Sequence, residues 1–562
     1  MTVEGGLDEP TELEPEQGSL DLASPEDSWT AADWEKQAAA VLRKAKRLGE
    51  DDPDDLVWAK LTRTTLDGID VTPLGTPDLL DDLQTSGRPT RAGDWDIRSQ
   101  VSTNEDALVD LEGGVTSLWV RGDADLAALL EGVLLDLAPV VLDGQDPAAF
   151  LAYAEGRELH PATNLGVPAA EATADVAKAA QRAEVLAFVV DATHVHDKGA
   201  SDVQELAWSM AAGATYLRTL TGAGLSVDEA AGLVEFRYAV TDEQFPSIAK
   251  LRAARRLWAR VLETSAAETR EMRLHAVTSR PMMSKYDPWV NMLRTTVAAF
   301  AAGVGGADSV TVLPFDSPLG RPDAFGRRIA RNTSHLLIDE AHVAHVADPA
   351  GGSYAVEKLT DDLARAAWGL FGELDDAPDP LQTLDAGIAR TVAKREAEIA
   401  QRQRPITGLT EFPHLGEELP AREPDPTAPA VRRYGASFEA LRDEPPATPV
   451  FLATLGTVAQ HTARATFATN LFAAGGIALT TEAGDHRVVC VAGTDAAYDE
   501  HGAETAAELR SKGAEWVIVA GRPRDWADDS CAMGVDALDF LTRTRLVLSA
   551  RGTSGIEGEK PT

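Results

Sequence analysis

Residues 187–258 read AFVVDATHVHDKGASDVQELAWSMAAGATYLRTLTGAGLSVDEAAGLVEFRYAVTDEQFPSIAKLRAARRLW, and the spacing of their apolar residues changes period twice. AFVV is a short continuous apolar run, which is typical of a β-strand covered on both faces. The residues from Ala200 to Leu220 show helical spacing, Ser226 and Glu229 are spaced as a capping box that opens another helix, and LVEFRYAV predicts a second strand. This alternation predicts a barrel of parallel strands and helices.

The first of these strands brings four polar residues to its C-terminal end, namely Asp191, Thr193, His194 and His196. Barrel enzymes carry their chemistry at the carboxyl ends of the strands, because the loops that hold the reacting groups meet there. We therefore expect this segment to lie at the site.

Eight candidate strands occur between residues 95 and 315, which is the number that closes a TIM-type (β/α)8 barrel. They are Trp95–Val101, Thr116–Val120, Val140–Asp143, Leu159–Asn164, Leu186–His194, Leu233–Val240, Arg273–Thr278 and Ser309–Phe315. Helices are predicted between them, including Ala124–Leu137, Ala169–Arg182 and Asp287–Ala302. Pro161 lies inside the fourth strand and removes a backbone donor there, so this strand is the weakest of the eight.

Composition divides the chain into five regions. Residues 1–27 are acidic and contain several Pro and Gly, which predicts a disordered arm. Residues 28–93 begin with a helix carrying Trp29 and Trp34, and such large apolar side chains near a chain end predict an arm for subunit contact. Residues 94–400 are the predicted barrel with its helical belt, and 401–447 a linker dense in Pro and charge.

Residues 448–562 predict a second parallel α/β domain. Its candidate strands lie in TPVFLATLG, IALTTE, VVCVAG, WVIVAG and VDALDF, and helices such as Thr457–Ala474 and Ala503–Lys512 alternate with them. A small parallel sheet of this kind is typical of a flavodoxin-like domain.

The chain is strongly acidic, with 52 Lys and Arg against 90 Asp and Glu and a formal net charge of −38. This charge repels nucleic acid and anionic membrane surfaces, so neither is expected as a partner. The N-terminal residues lack the pattern of a signal peptide, and no run approaches the roughly 18 apolar residues of a membrane span. Cys490 and Cys531 alone make no disulfide framework, which favours a cytoplasmic protein.

Six segments resemble, in order, segments of the adenosylcobalamin-dependent acyl-CoA mutases, and most closely the methylmalonyl-CoA mutase family. They are WDIRSQV (95–101), THVHDKGAS (193–201), AKLRAARRLW (249–258), RRIARNTSHLL (327–337), DPAGGSYAVEKLTDDLARAAW (348–368) and RQRPITGL (402–409). The resemblance implies an acyl-CoA mutase barrel followed by a domain of the cobalamin-binding type.

The C-terminal domain departs from that family where the cofactor binds. Cobalamin-binding members carry an Asp-x-His-x-x-Gly loop after the first strand of this domain, and its histidine coordinates cobalt. Here Gly456 is retained, but Val458, Gln460 and Ala463 replace the Asp, the His and the Gly. His461 is a neighbouring candidate ligand, yet it is one residue out of register and has no carboxylate to orient its ring. The resemblance therefore implies a degenerate motif that binds no cofactor.

The barrel departs from the family as well. Thr193–His194 stands where catalytic members carry a Tyr-His pair, and Gln100 replaces a tyrosine that lies near the cofactor. The Gly-rich segment that lies against substrate and cofactor has no counterpart between Arg121 and Val140. A radical rearrangement needs a sealed and preorganised pocket. Gln100, Thr193 and His194 are therefore expected to form a vestigial pocket without a catalytic role.

These departures resemble those of the small, non-catalytic subunits of heterodimeric family members. The resemblance implies a large-subunit partner that binds adenosylcobalamin and the acyl-CoA substrate. It also implies that this partner interconverts (R)-methylmalonyl-CoA and succinyl-CoA through a 5′-deoxyadenosyl radical. No catalytic residue, cofactor ligand or metal ligand is then expected in this chain.

Two alternatives use the histidine segment differently. In one, the chain is an independent acyl-CoA mutase that retains His194. In the other it is a metal-dependent barrel hydrolase, because His194 and His196, two residues apart on a strand, face the same side and can bind one zinc ion. Asp191 and His275 are then candidate further ligands.

Overall fold

The structure, a computed structural model, describes residues 28–81, 83, 88–482 and 484–549. The predicted disordered arm of residues 1–27 lies outside the described residues. The described residues divide into two compact units, one made of those within 28–65 and 70–75 and the other of those within 66–69 and 76–549.

The first unit contains two helices and a short antiparallel hairpin. These are α1 Ala31–Lys44, α2 Leu56–Leu61, β1 Arg63–Thr64 and β2 Asp70–Val71. Thr30 caps α1, because its hydroxyl accepts the backbone N–H of Asp33. The rings of Trp34 and Trp58 pack together with centroids 4.5 Å apart, whereas Trp29 is 76% exposed. Of the two tryptophans predicted to dock, Trp29 is the one that remains largely exposed.

Eight parallel strands of the second unit form a closed barrel. They are β3 Asp96–Val101, β4 Ser117–Arg121, β5 Val140–Asp143, β6 Asn164–Pro168, β7 Leu186–Asp191, β8 Val234–Val240, β9 Arg273–Thr278 and β10 Ser309–Thr311. Each strand pairs with the next one in the chain, and β10 pairs with β3 to close the ring. Strands β4 and β8 are therefore diametrically opposite. The predicted TIM-type barrel is confirmed.

Two of the barrel strands differ from their predicted bounds. β6 occupies Asn164–Pro168 instead of Leu159–Asn164, because Pro161 falls in a turn and the strand begins after it. A bulge follows, in which the Asn164 side chain accepts the backbone N–H of Gly166 at 2.9 Å. β7 ends at Asp191, so the predicted extension of this strand to His194 is wrong.

Helices connect the barrel strands and continue after the last one. They are α3 Asn104–Glu112, α4 Leu126–Leu129, α5 Pro147–Tyr153, α6 Ala174–Arg182, α7 Thr193–Asp197, α8 Asp202–Gly222, α9 Val227–Ala231, α10 Gln244–Thr264, α11 Val290–Val304, α12 Ala324–His335, α13 Tyr354–Asp375 and α14 Pro380–Ala400. The predicted capping box of Ser226 and Glu229 is confirmed. The helix predicted over Ala124–Leu137 shortens to α4, and the chain turns at Gly132, whose φ of +81° favours glycine. None of the described helices is both long and apolar enough to cross a bilayer.

The C-terminal part of the second unit carries a five-stranded parallel sheet. Its elements are α15 Ala436–Asp443, β11 Val450–Thr454, α16 Val458–Ala474, β12 Leu479–Thr480, β13 Val488–Ala492, α17 Asp495–Ala497, α18 Ala503–Ser511, β14 Trp516–Ala520, β15 Asp529–Cys531 and α19 Ala537–Ser549. The strand order β12-β11-β13-β14-β15 is that of a flavodoxin-like sheet, as predicted. The strand predicted in VDALDF is wrong, because Asp536 caps a helix there by accepting the N–H of Asp539.

Residues 401–447, predicted as a linker, contact both the barrel and the sheet. Leu409 and Phe438 are buried in the core of the sheet domain. Arg432 donates its backbone N–H to the carbonyl of Asp197, just beyond the end of β7. This segment therefore lies at the same face of the barrel as the histidine segment.

Candidate functional site

The histidine segment after β7 forms a helical turn. The Asp191 carboxylate accepts the backbone N–H of Thr193 at 3.0 Å and its hydroxyl at 2.6 Å, which starts the turn. Residues two apart in a helix point in different directions, so the side chains of His194 and His196 diverge. The His194 side chain is 70% exposed and that of His196 is 3% exposed. The prediction that both histidines face one side of a strand is wrong.

His196 belongs to a buried polar cluster. Its Nε2 bonds the hydroxyl of Ser279 at 2.7 Å, and its Nδ1 lies 3.3 Å from the carboxylate of Glu205, which also accepts from Lys250 at 2.8 Å. A hydroxyl, an imidazole and a carboxylate in this order can form a nucleophilic site. Here the Ser279 oxygen is buried and accepts the backbone N–H of Met282. The cluster therefore supports the fold instead of presenting a nucleophile.

The zinc alternative requires further ligands beside His194 and His196. The Asp191 carboxylate is instead paired with Arg237 at 2.6 Å, and His275 lies inside the barrel. Burial above all lowers the pKa of His275 well below its usual value, so its ring is neutral. Over the part of the chain that the structure describes, no three His, Cys, Asp or Glu side chains are grouped as metal ligands.

The bore of the barrel is filled by side chains from opposite strands. Trp119 on β4 is buried, and the Arg237 guanidinium from β8 lies 3.9 Å from the centre of its ring. His275 on β9 meets the same ring edge-on, with centroids 5.4 Å apart, and accepts a hydrogen bond from Arg237 Nε at 3.1 Å. Trp119 Nε1 donates to the carboxylate of Asp143 at 3.1 Å. This layer occupies the barrel axis.

A second charged layer fills the bore nearer the beginning of the strands. Arg98 on β3 donates to the carboxylates of Glu235 at 2.8 Å and Asp96 at 3.1 Å, and Arg273 Nε lies 3.3 Å from Glu235. Burial opposes ionisation of Glu235, yet Arg98 and Arg273 hold its pKa below the usual value. Barrel interiors are usually filled by branched apolar side chains. Here ion pairs take that place.

Gln100, predicted to belong to the vestigial pocket, lies beside a cavity of about 80 Å³ at the end of β3. Sites for drug-sized ligands measure roughly 300–1,000 Å³, so this cavity is too small for an acyl-CoA. Thr193 and His194 do not line it. The three residues predicted to form one pocket are therefore not brought together around this cavity.

The segment after residue 421 covers the barrel face at which the strands end. Arg121, the last residue of β4, donates to the Thr427 carbonyl at 2.8 Å. Two strands away around the barrel, Arg321 after β10 donates its backbone N–H to the Glu423 carbonyl at 2.7 Å. Near β9, Tyr434 donates its backbone N–H to the Pro281 carbonyl at 2.8 Å. Backbone of the connecting segment therefore occupies this face.

In the C-terminal domain, the degenerate motif forms the start of helix α16. Gly456 adopts a φ of +82°, and Gln460 accepts the N–H of Thr457 at 2.7 Å to complete a capping box. Val458 is 73% exposed, and Ala463 is exposed within the helix. His461 has a buried Nδ1 without a hydrogen-bond partner among the described residues. The Gln460 amide is thus engaged with its own helix.

The crevice at the carboxyl ends of the sheet strands is closed by Tyr498. Its buried hydroxyl accepts the N–H of Gly493 after β13 at 2.8 Å and lies 2.8 Å from the Ala520 carbonyl of β14. The Arg464 guanidinium lies 5.0 Å from its ring centre and donates to the Gly493 carbonyl. Gly493 itself is closely packed, since a Cβ at this position would lie only 2.9 Å from the Leu455 side chain. Flavodoxin-like domains bind their ligands at this edge of the sheet.

Sequence reasoning missed the residues that fill the barrel. Glu235 and Arg237 alternate within the otherwise apolar strand VEFRYAV, and Trp119 occupies the corresponding inward position of SLWVR. Charged residues at period two inside a buried strand are a signal for a polar bore, since one face of each strand points inward. That signal was present in the sequence.

Comparison with known proteins agrees with this architecture. Residues 169–483 match the family model for methylmalonyl-CoA mutase. The methylmalonyl-CoA mutase small subunit of Streptomyces virginiae is 42% identical, over 94% of this chain and 98% of its own length. The small subunit of the same name from Propionibacterium freudenreichii subsp. shermanii is 33% identical, over 94% of this chain and 96% of its own length.

A relative named without a subunit is matched over a shorter region. The methylmalonyl-CoA mutase of Rhizobium meliloti is 36% identical, over 40% of this chain and 33% of its own length. The two small subunits, in contrast, are matched nearly from end to end. The chain therefore belongs to the methylmalonyl-CoA mutase family, among its small subunits.

Proposed function

We propose that this chain is the non-catalytic partner in a heterodimeric methylmalonyl-CoA mutase that interconverts (R)-methylmalonyl-CoA and succinyl-CoA. The large subunit binds adenosylcobalamin and the acyl-CoA substrate, while this chain supplies an interface and stability. The enzyme acts in the cytoplasm, in propionyl-CoA metabolism. The observation that carries the proposal is the filled bore of the barrel, where Arg237 stacks on Trp119.

The bore argues against an acyl-CoA site in this chain. Trp119, Arg237 and His275 meet on the barrel axis, and the ion pair of Arg98 and Glu235 lies in the next layer. Opening a path for an acyl-CoA through the barrel would separate these buried charges from their partners, which is costly in a medium of low dielectric constant. A substrate would have to offset that cost on binding. This supports placing the substrate in the large subunit.

The C-terminal domain does not fit adenosylcobalamin. The family's ligand position holds Gln460, whose side-chain oxygen is bonded to its own helix terminus. A neutral imidazole oriented by a carboxylate is what a cobalt ligand requires, and Val458 offers no acceptor. Tyr498 and Arg464 also close the crevice above the strand ends. This supports assigning the cofactor to the large subunit.

The first unit is the candidate contact arm. Trp29 and Val41 are large apolar side chains that remain exposed near the beginning of the described chain. Tryptophan is enriched at protein interfaces, where its large surface leaves water. We expect this arm to contribute to the contact with the large subunit.

The test is a visible absorption spectrum recorded after incubation with adenosylcobalamin and gel filtration. We expect no corrinoid on this chain alone and corrinoid on a co-eluting complex with the large subunit. His194→Ala is the companion variant, because an independent mutase would need His194, whereas the exposed side chain has no role in a structural partner. Corrinoid retained by the chain alone, or mutase activity of the complex lost in His194→Ala, would contradict the proposal.

A further inference from the structure

The cavity beside Gln100 concentrates positive charge in a strongly acidic chain. Between β3, the loop after β10 and helix α12, its lining includes five arginines and two aspartates. The arginines are Arg98, Arg121, Arg321, Arg327 and Arg331. The aspartates are Asp106 and Asp425. We call this space, closed on one side by Thr427, the rim cavity. Arg98, Arg327 and Arg331 are paired with carboxylates behind the lining, so Arg121 and Arg321 carry its positive charge.

Both lining aspartates are already engaged. Asp106 pairs with Arg327 at 3.3 Å. The Asp425 carboxylate accepts the backbone N–H of Thr427 at 2.9 Å and its hydroxyl at 2.7 Å. The charge of Asp106 is therefore offset by Arg327, and one oxygen of Asp425 is occupied by its own turn.

Several donors of the rim cavity are not satisfied by protein. Among the described residues, the Gln100 Nε2 and the Arg331 Nε are buried without a hydrogen-bond partner. Arg321 lines the cavity from its exposed side, and no described carboxylate lies within ion-pair distance of its guanidinium. Burial, and then the charge of Arg280, lower the pKa of Arg121, because its positive charge is incompletely balanced by Asp143 at 3.5 Å. Unpaired donors in a partly buried space favour an anionic acceptor.

The size of the rim cavity restricts what it can hold. Its volume of about 80 Å³ is well below the roughly 300–1,000 Å³ of sites for drug-sized ligands. This suits a single oxyanion group. A larger ligand could place only one such group inside.

We propose that the rim cavity binds a small oxyanion of the phosphate class, with Arg121, Arg321 and Gln100 as its donors. The anion accepts from all three and lies under the backbone of the connecting segment, which Arg121 already contacts through Thr427. Binding therefore ties that segment to the ends of β3 and β4. This inference does not depend on the partner role of the chain.

The experiment measures the melting temperature of the full chain during titration with inorganic phosphate, against potassium chloride at equal ionic strength. We expect a saturable rise with phosphate alone. Arg321→Ala and Gln100→Leu are each expected to weaken the apparent phosphate affinity by about tenfold or more, as the loss of a contact to a charged group predicts. Arg328→Ala is the matched control, because Arg328 lies on α12 beside the lining residue Arg327 but packs on Phe325 and does not line the cavity.

A second titration, with adenosine 3′,5′-bisphosphate, distinguishes a phosphoryl group carried by a nucleotide from the free phosphate ion. Tighter binding of the bisphosphate, competitive with phosphate, identifies a phosphoryl group carried by a nucleotide. Binding of phosphate alone identifies the free ion, and both results support the oxyanion site. The proposal is wrong if phosphate acts no differently from chloride, or if Arg321→Ala and Gln100→Leu both respond as the wild type does.

Discussion

The guanidinium of Arg237 lies 3.9 Å from the centre of the Trp119 ring, although the two residues belong to diametrically opposite strands of the barrel. Arg237 is also held by Asp191 at 2.6 Å and by His275 at 3.1 Å. A desolvated cation over an indole face contributes about 2 kcal/mol. The contact that joins the two sides of the barrel therefore also closes its bore.

Replacing Trp119 with alanine is expected to lower the free energy of unfolding by about 3–5 kcal/mol, because it leaves a cavity on the barrel axis and removes the surface on which Arg237 rests. Urea titration followed by circular dichroism measures the change. Trp29→Ala, at an exposed position, should stay within about 0.5 kcal/mol of the wild type. Equal losses in the two variants would show that Trp119 does not support the barrel.

The buried pair of Arg98 and Glu235 gives a second prediction. Arg98→Met should cost about 3–5 kcal/mol in the free energy of unfolding, since it leaves the Glu235 carboxylate buried with less compensation. The double variant Arg98→Met/Glu235→Leu should recover much of that loss. Arg260→Met breaks an exposed pair with Glu263 and should leave the free energy of unfolding nearly unchanged, because exposed ion pairs contribute little. A double variant no more stable than Arg98→Met would contradict this account.

Asp67 predicts a pH dependence of stability. Burial above all, and then nearby Asp202, raise the pKa of Asp67 to about 6, against the hydrogen bond that Ser201 donates. Its unfolded pKa is about 3.9, so between these values the unfolded chain releases a proton that the folded chain keeps. The contribution of Asp67 to the free energy of unfolding is fully present below about pH 4 and is lost as the pH rises through 6.

The corresponding measurement is the free energy of unfolding from pH 4 to pH 7. The wild type should lose stability relative to Asp67→Asn across this range, by about 1.4 kcal/mol for each unit of pKa shift. Asp485→Asn changes an exposed carboxylate and should keep the wild-type profile. Parallel profiles for the wild type and Asp67→Asn would disprove the assignment.

Restoring the cobalt-binding pattern is expected to fail. The triple variant Val458→Asp/Gln460→His/Ala463→Gly supplies the missing residue types, but Tyr498 and Arg464 still close the crevice. We expect no corrinoid absorption after gel filtration of this variant. The wild-type chain and the complex with the large subunit provide the negative and positive controls. Corrinoid bound to the triple variant would mean that Tyr498 and Arg464 do not prevent binding.

Much of the fold could be predicted because strands and helices leave different periods in the sequence. The run AFVV, the strand LVEFRYAV and the capping box of Ser226 and Glu229 were recognisable from local pattern. The errors occurred where a single side chain ends or starts an element. Asp191 converts the predicted end of a strand into a helical turn, and Asp536 starts a helix where a strand was predicted.

The candidate site was less accessible from the sequence. The departures at Val458 and Gln460 are visible in the sequence, and they support the proposal that this domain binds no cobalamin. The predicted orientation of His194 and His196 is wrong, because the segment is a helical turn and not a strand. Side chains two residues apart share a face in a strand but point in different directions in a helix.

The sequence by itself determined the barrel, the flavodoxin-like sheet and the membership of a family, because these follow from periodicity and from ordered local segments. Only the tertiary structure decided that Trp119, Arg237 and His275 meet on one axis and that Thr427 lies over the end of β4. The reason is physical. Periodicity tells which side chains face inward, but closing the barrel determines which of them meet across the bore.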